Sequence, residues 1–115
     1  MTNKSIGFIG IGNVGSNLVN NLLKSKNNIF VYDKNIKSYS RLINLKNKPC
    51  KNLKELANKS KIIITCLPSP KSVKKVVETI AKYLTKDHSW IEMSTTDNNE
   101  MIRLSKIVNS KGAKV

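Results

Sequence analysis

The sequence predicts an α/β fold built on a doubly wound parallel sheet, and three observations lead to that prediction. Short apolar segments alternate along the chain with segments in which apolar residues recur every three or four positions. The first pattern is typical of buried strands and the second of amphipathic helices. A glycine-rich turn lies between the first strand and the first helix, at residues 10–15. Such alternation favours parallel strands joined by right-handed crossovers.

The first two strands flank a helix. The segment SIGFIG at 5–10 is a short apolar run ending in glycine, which predicts a buried strand. A stripe of apolar residues at spacing four predicts a helix over 13–24. The segment NIFVYD at 28–33 is rich in β-branched and aromatic residues and predicts the second strand.

Three shorter elements are expected next. Apolar residues at helical spacing predict a second helix over 36–43. The segment KPCK at 48–51 predicts a brief third strand, and apolar positions within 53–57 predict a short helix.

The clearest strand of the sequence is KIIITCLP at 61–68. Its continuous apolar character indicates burial on both faces, as in a parallel sheet. Ser69 is an expected N-cap, and Pro70 fits the first position of a helix whose apolar face runs over 73–84.

One more strand and helix complete the pattern. The segment SWIEM at 89–93 predicts a strand, and Asp97 with Glu100 resembles a capping box that opens a helix. Gly112 suits the region after that helix, and AKV at 113–115 is expected to begin a sixth strand. We therefore expect one domain, 1–115, truncated at the start of its sixth strand.

Composition excludes several classes of protein. The longest apolar stretch, IIITCLP at 62–68, is far shorter than the roughly 20 residues of a membrane span. No signal peptide is visible at the N-terminus, and Cys50 and Cys66 lack the spacing of a zinc site or a disulfide framework. We expect a cytoplasmic protein with reduced thiols, no metal site and no membrane partner.

The net charge of +14 raises the alternative of a nucleic-acid partner. Nearly all of this charge is lysine, spread along the whole chain, with only Arg41 and Arg103 as arginines. Aromatic residues make up 5% of the chain, which leaves few platforms for stacking bases. We therefore expect no nucleic-acid partner.

The glycine-rich turn has the pattern G-x-G-x-x-G and lies between a predicted strand and a predicted helix, which indicates a dinucleotide-binding loop. Gly10 would permit the tight turn, Gly12 the approach of a diphosphate, and Gly15 the close packing of the helix. The diphosphate would lie on free N–H groups at the helix N-terminus. The predicted cofactor-binding residues of this loop are Gly10, Ile11, Gly12, Asn13, Val14 and Gly15.

Asp33 ends the second predicted strand, 18 residues after Gly15. That separation is close to the ~20 residues expected for the acid that binds the adenosine ribose. A carboxylate there accepts ribose hydroxyls and repels a 2′-phosphate, so NAD is the expected cofactor. NADP stays as the alternative because Lys34 could neutralise that phosphate. Asp33 could instead be a solvated turn residue.

Four segments together resemble the β-hydroxyacid dehydrogenases, among them 3-hydroxyisobutyrate dehydrogenase and relatives near 6-phosphogluconate dehydrogenase. The segments are IGFIGIGNVGSNLVNNLLKS, VYDKN, ITCLPSP and IEMSTTD, in the order and spacing of that family. The resemblance covers the chain from Ser5 to Val115. It implies a Rossmann-type sheet and an NAD-dependent oxidoreductase that transfers hydride between a small β-hydroxy acid and nicotinamide.

The resemblance also implies roles for individual residues. Leu67 and Pro68 would lie against the adenosine and ribose side of the cofactor, and Ser72 would be another cofactor contact. Thr95 would contact the cofactor near its nicotinamide half, and Ser94 would contact the substrate carboxylate. The alternative for Ser94 and Thr95 is capping of the helix that follows them.

Members of the resembled family are more than twice as long as this chain. Their catalytic lysine and all-helical domain, through which a homo-oligomer would form, lie beyond the matched segment. We therefore expect no catalytic residue here and no activity of this chain alone. The alternatives are a non-catalytic dinucleotide-binding module acting with a partner chain, or a basic nucleic-acid binder.

Three further side chains are given no part in chemistry. His88 is expected to be an exposed loop residue, and Trp90 to fill core space. Cys66 is expected to pack under the sheet as a small apolar residue.

Overall fold

The computed structural model describes residues 5–22, 24, 28–35, 48–93 and 98–115. Its strands are β1 (Ser5–Ile9), β2 (Asn28–Tyr32), β3 (Lys48–Pro49), β4 (Ile62–Thr65) and β5 (Ser89–Glu92). Its helices are α1 (Asn13–Leu22), α2 (Leu53–Lys59), α3 (Pro70–Ile80) and α4 (Asn98–Ser110), with a 3-10 turn at Ala81–Tyr83. The helix predicted over 36–43 and the cap predicted at Asp97 lie outside the described residues.

All neighbouring strands are parallel, and their order in the sheet is β3-β2-β1-β4-β5. Because β1 pairs with both β2 and β4, the strand order reverses at β1. A parallel bridge joins Ser89 to Lys114 beyond β5, and the Trp90 amide donates to the Lys114 carbonyl at 2.8 Å. The predicted fold class is confirmed, and the expected start of a further strand lies beside β5.

Two apolar clusters fill the two faces of this sheet. One lies under α1 and contains Phe8, Ile11, Val19 and Val31, each fully buried. The larger cluster, on the other face, combines buried residues of α2, α3 and α4 with buried strand residues such as Ile63 and Trp90. Burying such side chains stabilises the fold by roughly 1.5–3 kcal/mol each. Trp90 is therefore a core residue, as predicted.

The expectation that His88 is exposed is wrong. Its side chain is buried, with 9% of its surface exposed. Its Nδ1 accepts from the Thr85 amide at 3.0 Å, and its Nε2 lies 2.9 Å from the carbonyl oxygen of Ala57. The imidazole therefore joins the turn before β5 to α2, which satisfies its polar atoms inside the fold.

Helix starts follow the capping residues. Ser69 Oγ accepts from the Ser72 amide at 3.2 Å, and Pro70 occupies the first turn, as predicted for α3. Asn52 caps α2 through the Glu55 amide at 2.8 Å.

Within the part of the chain that the structure describes, no helix is both long and apolar enough to cross a bilayer.

Candidate dinucleotide-binding site

The turn from β1 to α1 begins at Gly10, which has a φ of 101°. Side chains rarely adopt this left-handed region, so glycine is required by conformation alone. Space requires it as well, because a Cβ here would lie 2.1 Å from the Cys66 carbonyl oxygen and 3.1 Å from Leu67 Cδ2. Gly10 therefore turns the chain while packed against the end of β4.

Gly15 lies in the first turn of α1 and packs directly on the preceding turn. A Cβ at this position would lie 2.2 Å from the Gly10 carbonyl oxygen and 3.3 Å from Phe8 Cε1. The packing role predicted for Gly15 is thus confirmed. The helix ladder begins where the Ser16 amide donates to the Gly12 carbonyl at 2.8 Å. The side chain of Val14 is 64% exposed on the outer surface of this first turn.

The loop 10–15 therefore holds its backbone groups close to the sheet, because Gly10 and Gly15 place no side chain at their close contacts. The first N–H groups of a helix have no partner within the helix, and they carry partial positive charge. An anion such as a diphosphate is the group that this arrangement suits. The side chain of Asn13 lies outside the described residues.

Asp33 follows β2 and lies next to this loop. Its Oδ2 accepts the Ile11 amide at 2.7 Å, and its Oδ1 accepts the Asn35 amide at 2.8 Å. The carboxylate is half-buried, whereas Lys34 beside it is exposed. The fold thus brings together the glycine loop and the acid, which the sequence predicted as parts of one site.

The end of β4 forms the other side of the loop. The Cys66 amide donates to the Ile9 carbonyl at 2.9 Å, and Leu67 is half-buried beside Gly10. Pro68 is exposed. The hydroxyl of Ser72 lies 3.0 Å from that of Ser69, within the cap of α3. Ser94 and Thr95 lie outside the described residues, so their predicted contacts stay predictions.

A buried polar chain at the ends of β4 and β5 was not predicted from the sequence. Trp90 Nε1 donates to Thr65 Oγ1 at 2.9 Å, and this hydroxyl donates to Glu92 Oε1 at 3.1 Å. The pairing of Thr65 with Glu92 across the two strands brings these groups together. Burial raises the pKa of the nearby Cys66 thiol, and the negative charge of Glu92 raises it further. Cys66 is therefore a poor nucleophile at neutral pH.

The site lies at the carboxyl ends of β1, β2 and β4, where the strand order reverses. In open α/β sheets this is the place where ligands bind. The loop amides could hold a diphosphate, and Asp33 is near enough to the loop to accept ribose hydroxyls from the same molecule. The residues present therefore fit a dinucleotide.

The model of the family described as the NAD-binding domain of 6-phosphogluconate dehydrogenase matches residues 5–115. The mitochondrial 3-hydroxyisobutyrate dehydrogenase of Drosophila melanogaster is 32% identical over 112 residues, covering 96% of this chain and 35% of that protein. The cytokine-like nuclear factor N-PAC of Pongo abelii is 27% identical over 116 residues, covering 98% of this chain and 21% of that protein.

Among solved structures, the 3-hydroxyisobutyrate dehydrogenase of Mycobacterium tuberculosis, solved with L-serine, gives a TM-score of 0.89 at 18% identity. The match covers 98% of this chain and 39% of that one, and it shows that the two share a fold. The chain thus spans well under half the length of the relatives it matches. Because the family model matches almost all of its residues, the chain belongs to the NAD-binding domain family of 6-phosphogluconate dehydrogenase, an NAD(P)-binding domain with 3-hydroxyisobutyrate dehydrogenases among its homologues.

Proposed function

We propose that this chain is the cofactor-binding part of an NAD-dependent oxidoreductase of the 3-hydroxyisobutyrate dehydrogenase type. The reaction is hydride transfer between the hydroxyl-bearing carbon of a small β-hydroxy acid and the nicotinamide, which supplies the hydride acceptor when bound. The 32% identity to the Drosophila enzyme over 96% of this chain supports the type of reaction.

The observation that carries the proposal is the contact between the glycine loop and Asp33, at 2.7 Å from the Ile11 amide. Amides of the loop would bind the diphosphate, and Asp33 would accept the adenosine ribose hydroxyls. A carboxylate at this position disfavours a 2′-phosphate, which favours NAD over NADP. Leu67 and Pro68 would flank the adenosine side of the cofactor.

Substrate contacts belong to residues after β5. Ser94 would hold the substrate carboxylate, and Thr95 would contact the nicotinamide half, with Ser72 as a further cofactor contact. The proton of the substrate hydroxyl needs a general acid or base. We assign that group to a lysine in the part of the longer relatives that this chain does not match, and we therefore expect no dehydrogenase activity from this chain alone.

A second candidate is a non-catalytic dinucleotide-binding module that works with a partner chain. The match to N-PAC favours it, because a protein named as a nuclear factor carries a segment 27% identical to this one. The coding sequence that follows codon 115 discriminates between the two candidates. An open frame for an all-helical domain favours the enzyme, and an unrelated segment favours the module.

Titration of the purified chain with NADH and NADPH, followed by cofactor fluorescence, tests the proposal. We expect saturable binding of NADH and weaker binding of NADPH. Gly12→Val is the matched variant, since a side chain there would occupy the approach of the diphosphate, and circular dichroism should show the fold retained. Equal NADH affinity in the wild type and in Gly12→Val would refute the loop as the diphosphate site.

A further inference from the structure

We propose that Asp33 is also a positioning residue that holds the phosphate loop, defined as residues 10–15, in its binding conformation before the cofactor arrives. The inference rests on the proposed function for the identity of the ligand. This second role of Asp33 does not involve the ribose, and Asp33 would perform it in the cofactor-free chain.

The carboxylate of Asp33 binds two backbone amides that are far apart in sequence. Its Oδ2 accepts from Ile11, 22 residues earlier, at 2.7 Å, and its Oδ1 accepts from Asn35 at 2.8 Å. A hydrogen bond to a charged acceptor is about twice as strong as one between neutral groups. An ionised carboxylate has roughly four acceptor sites in all, so binding backbone amides and binding ribose hydroxyls are compatible tasks for one carboxylate.

The hydrogen bond acts where the loop most needs support. Ile11 lies between two glycines, the residue type with the greatest backbone freedom. The Gly10 amide donates to the Tyr32 carbonyl at 3.0 Å, so two successive loop amides bind two successive residues at the end of β2. The fully buried side chain of Ile11 adds an apolar anchor. Asp33 thus completes a rigid entry to the loop.

This arrangement gives Ile11 an indirect role in place of the direct cofactor contact predicted for it. Its amide is directed to Asp33 and its side chain is fully buried, so it serves the site through Asp33. The diphosphate is then left to amides from Gly12 onward.

A consequence follows for cofactor choice. Because the Asp33 carboxylate would both bind the ribose and hold the loop, replacing Asp33 should not simply switch the cofactor preference from NAD to NADP. Asp33→Ala should narrow the preference for NADH while weakening the binding of both cofactors. Lys34 is exposed and makes no part of this contact, so Lys34→Ala should change the NADPH affinity alone.

Amide hydrogen exchange in the cofactor-free chain tests the positioning role directly. In Asp33→Ala we expect the Ile11 amide to exchange about tenfold or more faster, the loss expected for one charge-assisted hydrogen bond. The Gly10 amide is the internal reference, because its acceptor is the Tyr32 carbonyl and is untouched. Asp87→Ala, at an exposed aspartate in the turn before β5, is the matched control for charge. An unchanged Ile11 exchange rate in Asp33→Ala overturns the proposal.

If Asp33→Ala does not fold, Asp33→Asn takes its place. Its single carbonyl oxygen can accept only one of the two amides as the carboxylate does, so exchange of either Ile11 or Asn35 must rise. Protection of both amides at the wild-type level overturns the proposal.

Inorganic pyrophosphate provides a second readout, because it contains no ribose. Removing a negative charge beside an anion site should by itself strengthen pyrophosphate binding. Loss of the positioning role should weaken it, so the two effects have opposite signs. Weaker binding in Asp33→Ala than in Asp87→Ala supports the proposal, and stronger binding refutes it. A wild-type chain that binds no NADH would refute the proposed function, yet the exchange experiment would still decide the role of Asp33.

Discussion

At Gly15 the requirement for glycine comes from a neighbouring carbonyl group. The Gly10 oxygen would lie 2.2 Å from a Cβ at this position, closer than such atoms approach. Since this contact is with backbone, relief requires α1 to move away from the turn. The same displacement would move the first helical amides, which are the predicted diphosphate ligands.

Gly15→Ala is therefore expected to lower the stability of the chain by about 1–3 kcal/mol, the usual cost of overpacking. At an unconstrained helical position the same change would stabilise by about 1 kcal/mol, so the sign itself is informative. Urea denaturation measures the difference. Asn17→Ala, at an exposed position of the same helix, is the control and should change stability by less than about 0.5 kcal/mol. A Gly15→Ala chain as stable as the wild type would contradict the predicted clash.

The burial of the Cys50 thiol leads us to expect that the folded chain loses stability at alkaline pH. Burial raises the pKa of its thiol from 9.0 to about 11, and the negative charge of Glu55 contributes. The folded chain thus favours the neutral thiol, and this contribution is complete below pH 9. Between pH 9 and about 11 the unfolded chain ionises first, so the contribution is lost as the pH rises.

Cys50→Ala isolates this contribution, because the lysines titrate in both chains. The difference in unfolding free energy between the wild type and Cys50→Ala should be largest below pH 9 and should shrink toward pH 11. Urea denaturation at several pH values measures it. A difference that stays constant over this range would show that the thiol is not held neutral by the fold.

At the scale of elements, the start of α3 separates a structural serine from a predicted binding serine. Ser69 Oγ accepts the Ser72 amide at 3.2 Å, and the two hydroxyls lie 3.0 Å apart. Ser69→Ala should cost about 1 kcal/mol, as expected for loss of an N-cap. Ser72→Ala keeps its amide, so it should change stability less while lowering NADH affinity if its predicted contact is real. Thermal unfolding and NADH titration of both variants measure these two effects. A Ser72→Ala chain that loses stability but binds NADH with unchanged affinity would show that Ser72 is only structural.

Within the described residues, the sequence predicted the helices and strands because each of them carries its own local pattern. The run IIIT of β4 is apolar enough to be buried in a parallel sheet, and Ser69 with Pro70 begins α3 where predicted. The boundaries were less well predicted, since β4 ends at Thr65, whereas the predicted strand continued to residue 68. The strand ends where its pairing with β1 and β5 ends, opposite Ile9 and Glu92, and no local pattern encodes that pairing.

The residues that sequence reasoning missed depend on partners distant in the chain. His88 is buried because the Ala57 carbonyl, 31 residues earlier, lies 2.9 Å from its Nε2. Thr65 meets Trp90 and Glu92 only through the pairing of β4 with β5. The loop and Asp33 were predictable because the glycine spacing and the strand end are local signals. Their direct hydrogen bond was not, because it depends on how the two strand ends lie together.

At the scale of the whole molecule, the net charge of +14 is the property that the fold explains least. The lysines are mostly exposed, and within the described residues the ion pairs join Arg103 to Glu78 and Glu100. Such surface charge attracts anions in general. The positive charge therefore has two possible explanations. It is either a general surface property that does not affect the site, or a surface that binds polyanions.

Salt dependence separates these two accounts. A protein that neutralises several phosphates of duplex DNA loses about 10³–10⁵ in affinity between 50 and 200 mM salt, because condensed counterions are released. NADH has only two phosphates, which in the proposed site would be bound by local backbone amides, and it has no such counterion atmosphere. We therefore expect its dissociation constant to change by less than about tenfold over the same range, since salt screens only the longer-range part of the attraction. Fluorescence titration of NADH measures this, with a labelled DNA duplex as the control. The opposite result would be tight binding of the DNA duplex that weakens steeply with salt, together with no binding of NADH. That result would identify the positive charge as the functional feature and the glycine loop as a structural turn.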